Sequence, residues 1–397
     1  MTRIDTVKKW SSMGFAVSLV LFCGSAALLA WPVSDPVAGE HRCQPERRDV
    51  DLVICLDTSG SMEGLLDSAR ARLWDVVNSM NGMRPIPRLR VGLLTYGSPH
   101  NSTGSRGWVL KQSDLTSDLD TVYAKMMAMS TNGGEEYVGW VLNDAVSNMN
   151  WSSDPKALRL IFVAGNESAD QGSTFYNFRN VSQVARAKDI IINAIYAGSR
   201  ERGIGEQWAN VASLGGGSFS AIDMQCGTVQ VETPHDKLLL ELNLKLNSTY
   251  VPYGEAGSRG AANQKEQDVM AERVGGASAA SRVAAKATAM YDNAGWDLVD
   301  AVVQGKVELK DVKKESLPAP MQAMPAEERE AYVKKVHTQR ADIQRQINET
   351  QSARSEHLTV ARKRIAGGKT ALDEAMEKTL REQAEAKGFE FEKKGQP

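Results

Sequence analysis

Short runs of apolar, mostly β-branched residues alternate with amphipathic stretches along the chain as far as Tyr253. Five of the apolar runs predict strands, namely Asp51–Leu56, Leu89–Tyr96, Leu158–Ala164, Ile190–Tyr196 and Gly217–Ile222. The amphipathic stretches predict helices over Leu65–Met80, Leu115–Met129, Tyr137–Met149, Tyr176–Ala187 and Asp236–Asn247. Apolar strands that alternate with helices are typical of a parallel sheet covered on both faces. The pattern therefore predicts an α/β domain over residues 49–253, with a doubly wound, mostly parallel sheet flanked by helices.

The pattern changes after this domain and predicts an all-α extension over residues 254–397. Residues 253–262 are rich in Gly and Ala, which indicates a linker or an exit turn. Residues 263–311 are Ala-rich and predict helices, and residues 326–387 are densely charged with few helix breakers. Because no clean heptad repeat holds in the charged part, a helical hairpin is favoured over a long coiled coil.

The first 31 residues predict an export segment. Arg3, Lys8 and Lys9 precede an uncharged apolar run over residues 13–31, which is the pattern of a secretory signal peptide. The run is also about long enough to span a bilayer, so a cleaved signal and a retained membrane anchor both stay open. In either case we expect the chain beyond it, beginning with a linker over residues 32–48, to be exported: periplasmic, secreted or anchored to the membrane.

Composition and charge narrow the class of protein. Of the 397 residues, 42% are hydrophobic and 24% are charged, which is typical of a chain with a packed core. The formal net charge of -2 argues against nucleic acid as a partner, because phosphate binding requires a basic excess. The four cysteines form no CxxC or Cys/His cluster, so a structural zinc site is not expected. Cys55 lies in an apolar run and predicts a core thiol, whereas Cys43 and Cys226 either pair or stay free.

The motif that points to chemistry is Asp57-Thr58-Ser59-Gly60-Ser61, directly after the first predicted strand and before a helix. Ligands bind at the carboxyl ends of the strands in α/β sheets. Asp57, Ser59 and Ser61 offer one carboxylate and two hydroxyls, a set of hard oxygen donors that suits Mg²⁺. Mn²⁺ accepts the same donors. The alternative is a helix N-cap, which Ser and Thr also provide routinely.

The segment DVDLVICLDTSGSM resembles the opening of von Willebrand factor A-type domains, and the resemblance extends over about Asp49–Tyr253. It implies a metal-ion-dependent adhesion site in which Asp57, Ser59 and Ser61 are ligands. It also implies an open coordination position that accepts a carboxylate from a partner protein. Further phrases, FVAGNESADQG and YDNAGWDLVDA, are similar to exported bacterial proteins with one such domain and a helical C-terminal extension.

The sequence departs from the family pattern at the two other positions that complete this site. The Gly-Gly-Thr-like loop of the family matches Gly133–Glu136, so Glu135 stands where a threonine is expected, with Thr131 nearby. The aspartate expected at the end of a later strand is Ala164, and Asn166 and Glu167 follow it.

Gaining a glutamate while losing an aspartate keeps the formal charge of the ligands near -2. A metal could still bind with Glu135 or Glu136 as a ligand, and the predicted metal ligands are Asp57, Ser59, Ser61 and Glu135. The alternative is a degenerate site whose loops only cap helices.

No catalytic motif stands out: the five histidines are scattered, and there is no Gly-x-Ser-x-Gly elbow. The sequence therefore predicts a protein that is not an enzyme. The favoured interpretation is a metal-dependent protein-binding module of the cell envelope, whose unknown protein ligand offers an acidic side chain. The alternative is an envelope structural or assembly protein with a degenerate metal site, which binds partners through its C-terminal helices.

Overall fold

The computed structural model describes residues 46–172, 174–222, 231–365 and 372–392. The predicted export segment, Cys43 and Cys226 lie outside these residues. The strands are β1 (Arg47–Asp57), β2 (Met83–Arg84), β3 (Ile86–Tyr96), β4 (Leu110–Thr116), β5 (Leu158–Gly165), β6 (Ile191–Ala197), β7 (Gly216–Ile222) and β8 (Glu390–Phe391). Six of them form one sheet in the order β4-β3-β1-β5-β6-β7, while β2 pairs with β8. All neighbours in the large sheet are parallel except β3 and β4.

Helices cover both faces of this sheet and continue into the C-terminal part of the chain. In chain order they are α1 (Glu63–Ser79), α2 (Leu119–Met127), α3 (Val138–Asn148), α4 (Phe178–Ala187), α5 (Arg200–Gly205), α6 (Trp208–Leu214), α7 (Asp236–Asn247), α8 (Gly254–Val274), α9 (Gly276–Lys286), α10 (Leu298–Val303), α11 (Ala319–Gln322), α12 (Ala326–Ile365) and α13 (Leu372–Ala386). The predicted doubly wound, mostly parallel fold with helices beyond it is therefore confirmed. Cys55 is buried and free, as predicted, and burial raises the pKa of its thiol well above the usual range.

Two local predictions were wrong. The helix expected over Leu115–Met129 begins only at Leu119, and the polar segment before it forms the antiparallel edge strand β4. Residues 253–262, expected to be a linker, instead form the first half of α8. The small residues there permit close packing: a Cβ on Gly260 would lie 2.6 Å from Cδ1 of Trp296.

The C-terminal helices pack directly on the α/β part, and the described residues belong to one compact unit. Side chains of α9 and α13 belong to the same hydrophobic core as α1 and the sheet. Within that interface, Asp120 of α2, Asp268 of α8, and Arg282 and Lys286 of α9 form what we call the buried ion-pair network. Among the described residues, no helix is both long enough and apolar enough to cross a membrane.

Candidate functional site

The candidate site lies at the carboxyl end of β1, the strand that has β3 on one side and β5 on the other. This is the point at which successive connections leave the sheet in opposite directions, the usual place for a ligand in an open α/β sheet. The loops after β1, β3 and β5 and the loop before α3 meet there. Backbone hydrogen bonds join them: Thr58 donates to the carbonyl of Tyr96 at 2.9 Å, and Asn132 donates to the carbonyl of Thr58 at 3.0 Å.

The structure brings the three motif residues Asp57, Ser59 and Ser61 together. Asp57, the last residue of β1, is fully buried, and its Oδ1 accepts a hydrogen bond from the backbone N–H of Ser59 at 2.7 Å. The hydroxyl oxygens of Ser59 and Ser61 are 3.5 Å apart. Three oxygen donors therefore lie on one tight turn, in the arrangement that the sequence predicts.

A second carboxyl reaches this cluster, and it belongs to Glu136. Its side chain is buried and lies within hydrogen-bonding reach of the Asp57 carboxyl. Its backbone N–H donates to Oε1 of Gln171 at 2.8 Å, which fixes the loop. Glu135, the predicted ligand, is exposed instead and accepts a hydrogen bond from the hydroxyl of Tyr137. Thr131, the substitute considered for Glu135, donates to Glu63 at 2.9 Å at the surface.

Near the end of β5, Ala164 stands where the family resemblance implies an aspartate. Ala164 is buried, and its carbonyl accepts a hydrogen bond from the hydroxyl of Tyr96 at 3.0 Å. Two residues later, Asn166 reaches the motif and donates from Nδ2 to the hydroxyl of Ser61 at 3.0 Å. Asn166 is thus a site residue, and the sequence indicated it only because it follows Ala164 within two residues.

The electrostatics of the site are governed by burial. Burial raises the pKa of Asp57 to about 6. Burial and the neighbouring charge of Asp57 raise the pKa of Glu136 to about 9. The two carboxyls therefore resist being ionised together in the absence of a cation.

Several buried side-chain oxygens at this site have no hydrogen-bond donor among the described residues. Asp57 Oδ2, Glu136 Oε2 and Asn166 Oδ1 accept no hydrogen bond from a donor group of the described residues. A proton shared between the two carboxyls, a water molecule or a cation would satisfy the first two. Oxygens from carboxylates, hydroxyls and an amide are the donors that a hard divalent cation takes, so the residues present fit such an ion. In the described part of the chain, no group of three or more His, Cys, Asp or Glu residues is placed to hold a metal, and this site offers two carboxyls together with hydroxyl and amide oxygens.

The loop after β3 is shaped to leave room for these oxygens. Gly97 has φ +77°, which favours glycine, and a Cβ there would lie 2.6 Å from Asp57 Oδ1. The same Cβ would lie 3.0 Å from Cγ of Glu136. Any larger residue at position 97 would displace both carboxyls.

Replacing Glu136 with Gln is expected to stabilise the protein when no metal is present. The amide would donate a hydrogen bond to Asp57 without requiring a proton, which removes the conflict between two buried carboxyls. We expect a gain of about 1 kcal/mol in the free energy of unfolding, measured by urea denaturation in EDTA. The matched control is Glu135→Gln, which changes the exposed neighbour and should leave the unfolding midpoint unchanged. A loss of stability in Glu136→Gln would contradict this account.

Comparison with known proteins agrees with the fold at this site. Residues 51–208 match the family model of the von Willebrand factor type A domain. The search of curated proteins finds no match.

Three solved structures illustrate the structural likeness. The proximal thread matrix protein 1 of the mussel byssus is 16% identical, over 45% of this chain and 42% of that chain, with a TM-score of 0.34. The open form of the pilus adhesin SpaC from Lactobacillus rhamnosus GG is 15% identical, over 45% of this chain and 28% of that chain, with a TM-score of 0.34. The SpRpn10 VWA domain is 15% identical, over 44% of this chain and 87% of that domain, with a TM-score of 0.32. The match spans less than half the length of the byssus protein.

Proposed function

We propose that this chain, which carries a von Willebrand factor type A domain over residues 51–208, is a protein-binding module that holds a divalent cation at the carboxyl edge of its sheet. One observation carries the proposal: Asp57 Oδ2 and Glu136 Oε2 are buried side by side without a hydrogen-bond donor. Leaving such oxygens unpaired is costly, and a bound dication would remove that cost. We propose binding and not catalysis as the role of this edge.

Asp57, Ser59 and Ser61 would hold the cation, as the sequence predicts, with Glu136 supplying the second carboxyl. Mg²⁺ and Mn²⁺ are the proposed ions because every available donor is an oxygen. When bound, the ion would supply a positive centre toward which a partner's oxygen is drawn. With both carboxyls ionised, the net charge of a bound dication is close to zero, so its attraction for an acidic partner group is weaker than the resemblance implies.

We place this module in the cell envelope, as the basic and apolar pattern of residues 1–31 predicts. The second candidate function is a scaffold that binds partners only through its C-terminal helices. Its support is Ala164, which stands where the family resemblance implies an aspartate. It is disfavoured because α9 is buried along its whole length and α13 packs against α1 and β7. That candidate would have to use the exposed residues that these helices keep, such as Val269 of α8 and Val360 of α12.

The test is a calorimetric titration of Mg²⁺ and of Mn²⁺ into the full-length protein and its variants. We expect saturable binding that falls at least 100-fold in Asp57→Ala, because a buried ligand of the ion is removed. Glu136→Gln should weaken binding about tenfold, since one charged donor becomes neutral. These losses should occur with an unchanged far-ultraviolet circular dichroism spectrum.

Glu135→Gln is the matched control, since it alters the adjacent exposed carboxyl. If Glu135→Gln weakens binding and Glu136→Gln does not, then the second carboxyl ligand is Glu135, as the sequence predicts, and not Glu136. Equal binding of both ions to the natural protein and to Asp57→Ala would overturn the proposed metal site.

A further inference from the structure

An exposed group of aromatic side chains lies beside the candidate site. We call it the aromatic shelf, and it consists of Trp140, Phe175 and Tyr176. The ring of Trp140 meets Phe175 edge-on at 6.0 Å and Tyr176 edge-on at 4.8 Å between centroids. Phe175 is 81% exposed and Tyr176 is 36% exposed. The rings of Phe175 and Tyr176 therefore pack against the partly buried Trp140 while remaining open to solvent, which is unusual for side chains of this size.

Glycines fix the shelf in place. Gly107 has φ +65°, and a Cβ there would lie 2.5 Å from Cγ of Trp140. Gly139 lets α3 approach so closely that a Cβ would collide with the carbonyl of Tyr176. The shelf is thus built from two loops and a helix, and these close contacts fix the ring of Trp140 and the backbone of Tyr176.

The shelf is continuous with the candidate site. It rests on the same two loops that deliver Glu136 and Asn166, and the hydrogen bond from Glu136 N–H to Gln171 at 2.8 Å ties those loops together. Tyr137, which precedes the helix of Trp140, donates its hydroxyl to Glu135 between the site and the shelf. The shelf and the candidate site therefore share the loops of one edge of the sheet.

The surroundings of the shelf are acidic. The segments that meet at this edge, residues 57–63, 97–109, 128–137, 166–179 and 198–207, contain eight carboxyl groups and four arginines, and Arg179 pairs with Asp170. With the buried Asp57 and Glu136 set aside, six carboxylates remain against four arginines in these segments, which leaves a small acidic excess at this edge. Such a field attracts cationic segments and repels acidic ones.

We propose that the aromatic shelf binds a basic segment of the partner protein, with lysine or arginine side chains over its rings and the surrounding carboxylates as counter-charges. Cations are attracted to the faces of Trp, Tyr and Phe rings. The fold already uses this contact next to the shelf, where the guanidinium of Arg179 lies 4.3 Å from the ring centroid of Phe178. This inference names the chemistry of the partner and rests on the proposed function only in placing the partner at this edge.

The test measures binding of fluorescein-labelled peptides to the full-length protein at low salt in EDTA. The probes are three ten-residue peptides in which glycine alternates with lysine, glutamate or leucine. We expect the lysine peptide to bind best. The double variant Phe175→Ser/Tyr176→Ser should weaken it about tenfold, since two rings are lost while the charge is unchanged. The matched control is Leu244→Ser, which removes an apolar side chain that is 72% exposed on α7.

The outcomes separate this inference from the metal proposal. Asp57→Ala should still bind the lysine peptide, because the titration contains no free divalent cation. The proposal is overturned if the lysine peptide does not bind, if the shelf variant binds it as well as Leu244→Ser does, or if the glutamate or leucine peptide binds more tightly. In those cases calorimetric binding of Mg²⁺ would leave the proposed function standing by itself.

Discussion

A fragment of residues 46–253 is expected to show no cooperative unfolding, although it contains all six strands of the large sheet and the whole candidate site. Helices and loops from beyond Tyr253 complete the core on the α1 side of the sheet. The side chains they contribute are Ala271, Ala279, Ala285, Met290, Tyr291, Leu380, Ala384 and Phe389. Uncovering a large apolar side chain costs about 1.5–3 kcal/mol, and whole domains are stable by only about 5–15 kcal/mol.

Urea denaturation followed by circular dichroism, together with binding of a hydrophobic dye, would measure this effect. The control is a fragment of residues 46–392, which keeps every described element and should unfold in one sharp transition. A sharp transition in the shorter fragment, with little dye bound, would show that the α/β part is self-sufficient. If the fragment behaves as expected, truncation cannot separate the role of the carboxyl edge from that of the helices. Point substitutions in the whole chain then become the appropriate test.

The coarse fold could be predicted from the sequence because its signal is local. Buried parallel strands are apolar along their length, so β1, β3 and β5 stand out within a few residues of their true ends. The edge strand β4 did not, since only Leu115 of its seven residues is buried and its other side chains are polar or exposed. An antiparallel edge strand with one buried residue has no periodicity to detect.

The first turns of α8 were missed for a different reason. Gly and Ala at 254–262 indicate a linker by composition, yet here small side chains are what lets the helix approach Trp296. Composition alone does not distinguish small residues that loosen a chain from those that allow close packing. The docking of α9 against α1 is likewise a long-range contact, and no local pattern encodes it.

Part of the candidate site could be predicted from the sequence. Asp57, Ser59 and Ser61 follow from a motif within one turn, whereas the second carboxyl comes from a separate loop. Adjacent residues in an irregular loop point in different directions, and the hydrogen bond of the Glu136 N–H to Gln171 sets which carboxyl turns inward. Spacing along the sequence could place a glutamate at this site but could not choose between positions 135 and 136.

Arg282→Met is expected to be the most damaging single substitution in the interface between the two parts of the chain. Arg282 is almost fully buried and donates to Asp120 Oδ1 at 2.6 Å, to Asp268 Oδ1 at 2.7 Å and to the carbonyl of Gln264 at 3.0 Å. Its guanidinium also lies 4.7 Å from the ring centroid of Trp74. Removing one partner from a buried ion pair leaves the other charged groups buried without a partner. This typically lowers the free energy of unfolding by about 3–5 kcal/mol.

Urea denaturation at neutral pH measures this loss, and Arg345→Met is the matched control. Arg345 pairs with Glu349 at 2.8 Å on the exposed face of α12, with its side chain 61% accessible. Exposed pairs of this kind contribute about 0.2–1 kcal/mol. Similar losses for the two variants would mean that the buried ion-pair network does not hold the C-terminal helices to α2.

The pH dependence of the unfolding free energy is an independent test of the buried ion-pair network. Burial alone would raise the pKa of Asp268, but the charges of Lys286 and Arg282 outweigh burial and lower it well below its ordinary value. Because the folded pKa is depressed, the stability from this group is present above about pH 4, its unfolded pKa, and is lost as the pH falls below that value. In Arg282→Met one of the two stabilising charges is gone, so less stability remains to be lost on acidification. We therefore expect the variant's unfolding free energy to fall less steeply than that of the natural protein between pH 4 and pH 2.5, while parallel curves would place the cause of any destabilisation outside the network.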